Sequence, residues 1–245
     1  KREIVEHPGA VGIVALTEDK KENLWIATNG GGLNLYNPSS DTFTRFSEVD
    51  SKNKSGICSD WLTCLFVDSK GFLWIGSFWG LSRFDIENKI FRNYFYSSNN
   101  TNSLSDNVVY SINEDKHGNI WIGTKRGLNK LEIESNKFTH YGTIDGLPDE
   151  AINSILVDEK DNFWISTNNG LSRFNYISKE VKNFYYQDGL MSNEFIHNSQ
   201  YKSPDGQFFL GGVFGFNSFF PDSINVRDFF PKVYITEFKI FNKTV

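Results

Sequence analysis

Residues 119–131 read NIWIGTKRGLNKL, and the chain repeats this phrase along its length. Related copies are LWIATNGGGLNLY at 24–36, LWIGSFWGLSRF at 73–84, FWISTNNGLSRF at 163–174 and a degenerate FFLGGVFGFNSF at 208–219. The aromatic anchors of the copies, spaced 49, 47, 43 and 45 residues apart, are Trp25, Trp74, Trp121, Trp164 and Phe209. A period in the forties made of strand-like units indicates an array of repeated supersecondary elements.

The third copy shows the local pattern most clearly. Residues 107–113 (NVVYSIN) form a mostly apolar run, and a polar turn that closes with Gly118 follows. Residues 120–124 alternate with a period of two, which is typical of a strand, and Gly127 suits a second tight turn. Two further strands are predicted at 128–133 and 137–141. Four short antiparallel strands per unit predict an all-β fold, a β-propeller with five four-stranded blades present in this sequence.

The repeats divide the chain into three predicted segments. Residues 1–11 are expected to be the remnant outer strand of a preceding blade, and residues 12–227 the propeller blades. Residues 228–245 are expected to be a linker and the first strand of a following domain, because Pro221 and Pro231 interrupt the pattern. The blades are predicted at about 12–48, 60–96, 106–141, 150–185 and 195–220.

Three repeated positions have predicted structural roles. The anchor Trp residues should fill the gaps between adjacent blades, since large aromatic residues at one repeat phase fill such spaces. Gly76 and Gly123, matched by Ala27 and Ser166, indicate that close packing requires a small residue. The recurring acids should form turns through hydrogen bonds to nearby backbone amides; they are Asp68, Asp115 and Asp158.

Composition limits the possible functions. The 245 residues are 39% hydrophobic, and the net charge of −5 is spread without a basic block, so we expect no nucleic-acid partner. No apolar run approaches the roughly 20 residues that span a bilayer, so no membrane contact is expected from this segment. Cys58 and Cys64 lack neighbouring ligands for a zinc site. A disulfide between them stays open as an alternative, although unpaired burial of Cys64 is favoured.

No catalytic constellation emerges from the repeats. The four histidines fall at unrelated repeat phases, and the repeated acids occupy equivalent positions, whereas an active site needs one asymmetric arrangement. The glycine run at 30–32 lacks the residues of a phosphate loop and reads as a hairpin turn. We therefore expect no catalytic residues, no metal site and no cofactor, and we do not expect this segment to be an enzyme.

The repeat unit resembles a known family. The segments DKHGNIWIGTKRGLNKL and DSKGFLWIGSFWGLSRF are similar to the two-component regulator propeller repeat. The ending GGVFGFNSFFPDSI followed by FPKVYITEFKIFNKTV resembles the last blade of such a propeller running into the Ig-like Y_Y_Y domain. Proteins of this family are sensors of hybrid two-component systems, common in Bacteroides-type bacteria, and their propellers typically have seven blades. The five blades of this sequence are therefore expected to be part of a seven-bladed ring.

The resemblance implies a location and a role. The parent protein is expected to be a histidine kinase anchored in the inner membrane, with this segment in the periplasm. The segment would then be a sensor propeller that recognises an oligosaccharide and relays the signal to a kinase outside it. A homodimer is expected in the parent protein.

Residues that vary between repeats are the candidate ligand-binding residues. They lie in the hairpins between the second and third strands of each blade and in the blade-to-blade connectors, which should share one face. Aromatic rings can pack against sugar C–H surfaces while polar groups read the hydroxyls. The predicted set is Trp61, Phe78, Trp79, Lys125, Arg126, Asn168 and Asn169.

Two other function classes stay open. One is an enzyme of the streptogramin lyase type, whose propellers carry related short repeats and a histidine-based site. The absence of two histidines at matching positions of the hairpins counts against it. The other is a purely structural propeller that serves only for dimerisation, in which case the variable hairpin residues are ordinary exposed surface.

Overall fold

Each repeat forms one antiparallel sheet in the computed structural model, which describes residues 12–48 and 56–224, together with 239–240 and 243–244. Blade one contains β1 (Ile13–Glu18), β2 (Leu24–Thr28), β3 (Gly32–Asn37) and β4 (Thr42–Phe46). Blade two contains β5 (Leu62–Val67), β6 (Leu73–Ser77), β7 (Gly80–Asp85) and β8 (Ile90–Tyr94). Blade three contains β9 (Val109–Glu114), β10 (Ile120–Thr124), β11 (Gly127–Glu132) and β12 (Lys137–Tyr141). Blade four contains β13 (Ile152–Val157), β14 (Phe163–Thr167), β15 (Gly170–Asn175) and β16 (Glu180–Phe184).

The fifth blade has three strands within the described residues, β17 (Phe195–Lys202), β18 (Phe208–Gly212) and β19 (Gly215–Phe219). The prediction of an all-β five-bladed propeller with four-stranded antiparallel blades is confirmed. Helical structure in the described part of the chain is limited to three single 3₁₀ turns, at Thr143–Asp145, Tyr186–Asp188 and Pro221–Ser223. No helix among the described residues is long and apolar enough to cross a membrane.

The two predicted end segments lie mostly outside the described residues. All of the predicted remnant strand at 1–11 does so, as does most of the predicted linker and strand at 228–245. Within that second stretch, β20 (Lys239–Ile240) pairs antiparallel with β21 (Lys243–Thr244). The assignment of 228–245 to a following Ig-like domain stays a prediction.

The anchor tryptophans fill the gaps between blades, as predicted. Trp121 of blade three is fully buried, and its ring centroid lies 4.2 Å from that of Phe163 in blade four. Trp164 of blade four is buried likewise and lies 4.8 Å from Phe219 of blade five. The tryptophan face of each of these blades therefore packs against the next blade in sequence.

The small residue after the anchor also has a packing cause. A Cβ atom at Gly123 would lie 2.4 Å from Ser111 Oγ and 2.7 Å from Ile152 Cγ2 of the next blade. At Gly76 the corresponding contacts are with Cys64 Sγ and Val109 Cγ1. Distances below 3 Å exclude a side chain there without movement of the inner strands.

The first and last blades each present a face that no described residue covers. Phe216 of blade five follows the hairpin glycine, as buried Leu171 does in blade four, yet 62% of its surface is exposed. On blade one, Leu16 is 58% exposed, whereas the equivalent Leu65 of blade two packs into the core between blades one and two. Both exposed faces carry the apolar pattern of a blade interface.

Candidate ligand face and channel mouth

The hairpins between second and third strands share one face with the blade-to-blade connectors. Strands of a blade alternate in direction, so these hairpins and connectors must lie at the same end. Backbone hydrogen bonds tie them together: Phe78 N–H donates to Trp61 O at 3.1 Å, and Lys125 N–H donates to Val108 O at 3.0 Å. We call this end of the propeller the hairpin face; the turns that contain the repeated acids lie at the opposite end.

An aromatic group stands on the hairpin face at blade two. Trp79 is 57% exposed and Trp61 is 42% exposed. Phe78, half-buried, lies beside Trp79 with the ring centroids 6.4 Å apart in an edge-on arrangement. The structure thus brings these three predicted residues together, because the Trp61 connector and the Phe78–Trp79 hairpin are hydrogen-bonded neighbours.

The polar candidates lie on other hairpins of the same face. Lys125 and Arg126 of blade three are exposed, and Arg126 Nε lies 3.6 Å from Asp106 Oδ2 on the neighbouring connector. Asn168 and Asn169 of blade four are also exposed. They are therefore distributed around the face and do not join the aromatic group of blade two.

A second set of residues, which sequence reasoning missed, lines the inner edge of the blades. Each inner strand carries a β-bulge that removes one residue, or in blade five four residues, from the ladder. One bulged residue per blade lies eleven positions before the anchor aromatic residue: Val14, Thr63, Tyr110, Asn153 and Asn198. A bulge redirects a side chain away from the pleat, and bulges are common beside functional sites. The constant spacing is the sequence signal that could have identified them.

These bulged residues meet around the end of the central channel at the hairpin face, which we call the channel mouth. The wide bulge of β17 crosses towards blades two and three. Asn198, with a left-handed φ of 53°, donates from Nδ2 to Thr63 O at 3.2 Å. The His197 ring stacks on Tyr110 with centroids 5.0 Å apart and an interplanar angle of 26°. Asn153 Nδ2 donates to Phe195 O at 2.8 Å, which fixes the start of the bulge.

A cavity of about 170 Å³ lies at the channel mouth beside the aromatic group. Desolvation lowers the pKa of His197, and burial raises the pKa of Tyr110, so both rings are favoured in their neutral forms. Among the described residues, the lining carries no acidic or cationic side chain at neutral pH. These lining residues are Val14, Asn29, Leu62, Thr63, Phe78, His197 and Asn198.

His117, His140 and the two cysteines do not extend this site. His117 lies in an acid-containing turn at the opposite end of the propeller. His140 lies on the outer strand β12, and its Nε2 is 2.8 Å from Ser103 O. Cys58 is half-buried and Cys64 is buried, and neither forms a disulfide, as favoured from the sequence. Burial raises the pKa of the Cys64 thiol to about 12. The described residues contain no group of three or more potential metal ligands with suitable placement.

Comparison with known proteins identifies the repeat. A family model described as two component regulator propeller matches residues 56–79, 103–126 and 146–169. The chain contains two-component regulator propeller repeats. Each match runs from a connector through the inner strand and the anchor tryptophan to the following hairpin. The matched segments therefore include residues of both the hairpin face and the channel mouth.

Relatives of this repeat-containing chain include sensor proteins. Over 58 residues it is 41% identical to "Histidine kinase P4" of Formosa agariphila, an alignment that covers 24% of this chain and 4% of the kinase. The extracellular domain of a protein described as hybrid two component system BT3049, from B. thetaiotaomicron, superposes with a TM-score of 0.74 at 28% identity, covering 84% of this chain and 28% of that chain. The chain thus spans a small part of the length of these relatives.

A lyase shares the fold at lower similarity. Virginiamycin B lyase of Staphylococcus aureus superposes with a TM-score of 0.63 at 16% identity, covering 86% of this chain and 72% of the lyase. That likeness shows a common propeller architecture. The propeller described here resembles sensor domains of hybrid two-component systems more closely, both in sequence and in superposition.

Proposed function

We propose that this propeller is the ligand-recognition part of a hybrid two-component sensor, and that it binds an oligosaccharide on its hairpin face. The observation that supports this most directly is the exposure of Trp79 and Trp61 beside Phe78. Two large aromatic side chains open to solvent on a hairpin and the connector hydrogen-bonded to it are unusual unless a partner covers them. Ring faces of this kind pack against the C–H surfaces of sugars.

Polar hairpins around the same face would read the rest of the ligand. Lys125 and Arg126 can pair with a carboxylate or a hydroxyl, and the amides of Asn168 and Asn169 can both donate and accept. The Arg126 side chain is 73% exposed and so is open to a ligand, with Asp106 Oδ2 3.6 Å from its Nε. The aromatic group would supply affinity and these residues selectivity.

The proposed output is a relay to a kinase elsewhere in the parent protein. Similarity to an extracellular sensor domain supports placement of the propeller in the periplasm. In this proposal the parent protein is anchored in the inner membrane and acts as a dimer. A closely packed ring of sheets has few soft modes, so ligand binding would shift the propeller as a rigid body against the following domain.

The test uses binding and signalling together. The isolated chain is screened with a library of neutral and acidic oligosaccharides by thermal shift and calorimetry, and Trp79→Ala and Arg126→Ala are then compared with the parent chain. We expect each variant to weaken binding about tenfold or more, or 1.4 kcal/mol, without lowering the melting temperature much. The matched control is Phe43→Ala, an exposed aromatic residue on an outer strand.

The same variants are then introduced into the full-length sensor with a transcriptional reporter. Reduced response to the bound glycan, with normal protein abundance, is the expected result. Normal signalling by both variants would make the hairpin face ordinary surface. Concentration-dependent dimerisation without any glycan binding would instead support the purely structural role, and turnover of a bound ligand by the isolated chain would support a lyase.

A further inference from the structure

We propose that the channel mouth is a distinct subsite that takes one uncharged sugar unit of the ligand, held by His197, Asn29 and Phe78. This inference rests on the proposed function and assigns part of the ligand to a subsite that adjoins the exposed tryptophans through Phe78. The geometry that points to it is the bulge of β17, which places His197 against Tyr110 of blade three and Asn198 against Thr63 of blade two.

The β17 bulge is wider than the bulges of the other inner strands. Residues 196–199 lie between the paired positions Phe195 and Gln200, whereas the other inner strands lose one residue each. Asn198 adopts the left-handed conformation within this segment, which asparagine does more readily than most residues. Its bond to Thr63 O fixes the bulge against blade two.

Hydrogen-bonding capacity in the cavity is unfilled. Asn29 lines the cavity, and its Oδ1 has no hydrogen-bond partner among the described residues. An acceptor without a donor costs free energy, which a ligand hydroxyl would recover once the Asn29 side chain rotates towards the cavity. The His197 ring packs its face on Tyr110 and forms no hydrogen bond with the described residues, so one ring nitrogen can donate and the other can accept.

The described residues that line the cavity carry no charged side chain, which favours an uncharged ligand. An anionic unit would enter without a cation to pair with it, and a cationic unit without a carboxylate, and each would lose hydration. A neutral pyranose avoids that loss. Its hydroxyls both donate to Asn29 and exchange hydrogen bonds with His197, while its C–H face can pack on the Phe78 ring. Phe78 is shared with the aromatic group, so the two sites are continuous.

The experiment follows the His197 ring directly. The isolated chain, labelled with ¹⁵N at histidine, is titrated with methyl α-glucoside, methyl β-galactoside and methyl α-mannoside, and separately with glucuronate, each in the millimolar range expected for a single sugar. At least one neutral glycoside should shift the His197 ring signals and leave those of His117, at the opposite end, unchanged. His197→Ala and His197→Gln should each weaken that glycoside about tenfold, and His117→Ala should not.

The outcomes separate this inference from the proposed function. If no neutral glycoside moves the His197 signals, or if glucuronate binds as tightly, the channel-mouth subsite is wrong. If an oligosaccharide binds in a manner sensitive to Trp79→Ala but not to either His197 variant, the hairpin face stands and the subsite fails. If neither set of variants affects binding, both proposals fail. Thermal melting of each variant confirms that it folds.

Discussion

Trp121 donates its indole Nε1–H to Asp115 Oδ2 at 2.9 Å, and both side chains are buried. The other carboxylate oxygen of Asp115 accepts the backbone N–H groups of His117 at 3.0 Å and Asn119 at 2.9 Å. One carboxylate therefore closes the turn between two strands and satisfies the polar atom of the side chain that fills the blade interface. The same indole-to-carboxylate bond occurs in the other blades with a tryptophan, between Trp25 and Asp19, Trp74 and Asp68, and Trp164 and Asp158.

Truncation of the anchor should destabilise the propeller strongly. We expect Trp121→Ala to lower the free energy of unfolding by about 3–5 kcal/mol, because it removes a large buried ring. Trp121→Phe keeps most of the apolar volume but leaves Asp115 Oδ2 without the indole donor, so we expect a loss of about 1–3 kcal/mol. Denaturant unfolding measures both, with exposed Trp79→Ala as the control. An unchanged midpoint for Trp121→Ala, together with weaker glycan binding, would reassign this residue to the ligand site.

The sequence predicted separately that the anchor tryptophans fill the blade interfaces and that the repeated acids form turns. It did not predict the hydrogen bond between the two side chains. Both roles follow from local rules, since acids favour turns and large aromatic residues fill interfaces. Their link depends on the fold of the hairpin, which brings a residue six positions earlier under the indole. The fifth blade shows the dependence: Ser203 stands where the others have Asp, and Phe209, without an N–H, stands where they have Trp. Ser203 Oγ still accepts the Gln207 N–H at 2.9 Å, so the turn forms without a hydrogen bond to the anchor side chain.

Alanine at the small-residue position, two residues after the anchor tryptophan, should change the free energy of unfolding differently in blades three and four. Gly123→Ala places a methyl group against Ser111 and Ile152, so we expect a loss of about 1–3 kcal/mol in the free energy of unfolding from overpacking. At the equivalent position of blade four, Ser166 Oγ is buried and has no hydrogen-bond partner within the described part of the chain. Ser166→Ala removes that unsatisfied hydroxyl and should be neutral or slightly stabilising. Equal effects of the two substitutions, measured by denaturant unfolding, would contradict this packing account.

The two thiols should be inert in the folded protein. The thiolate is the reactive form, and burial raises the pKa of Cys64 to about 12 and also raises the pKa of Cys58. At neutral pH both groups are therefore protonated as well as shielded. We expect iodoacetamide to modify neither residue in the native protein and both in denaturant, as measured by mass spectrometry. Stoichiometric alkylation of either one in native protein would show that its site opens readily.

The candidate site was predicted only in part, for a physical reason. Hairpin residues can be found from sequence because strand alternation fixes which turns share a face. The channel mouth depends on β-bulges, and a bulge shifts register by amounts that the alternation of apolar residues does not reveal. His197 shows the result. The other repeats have no histidine at the equivalent position, so a comparison of equivalent repeat positions did not identify it as a site residue. The widened bulge of β17 is what brings it to the axis.

The last prediction concerns the uncovered face of blade five. Phe209 occupies the anchor position of that blade but is only half-buried, with Tyr201 and Phe216 exposed beside it. Because no described residue packs on this face as blade five packs on Trp164, Phe209→Ala should cost much less than Trp164→Ala. We expect about 3–5 kcal/mol for Trp164→Ala and a clearly smaller loss for Phe209→Ala in the same denaturant experiment.

Aggregation provides the second readout for this face. A contiguous patch with Phe209, Tyr201 and Phe216 should bind an apolar dye and promote self-association of the chain. Phe216→Ser should reduce both without a large loss of stability, whereas Leu171→Ser, its buried counterpart in blade four, should unfold the protein. Equal destabilisation by Phe209→Ala and Trp164→Ala, with no dye binding, would mean that another element covers this face in solution, because an anchor costs that much only when atoms pack against it on both sides.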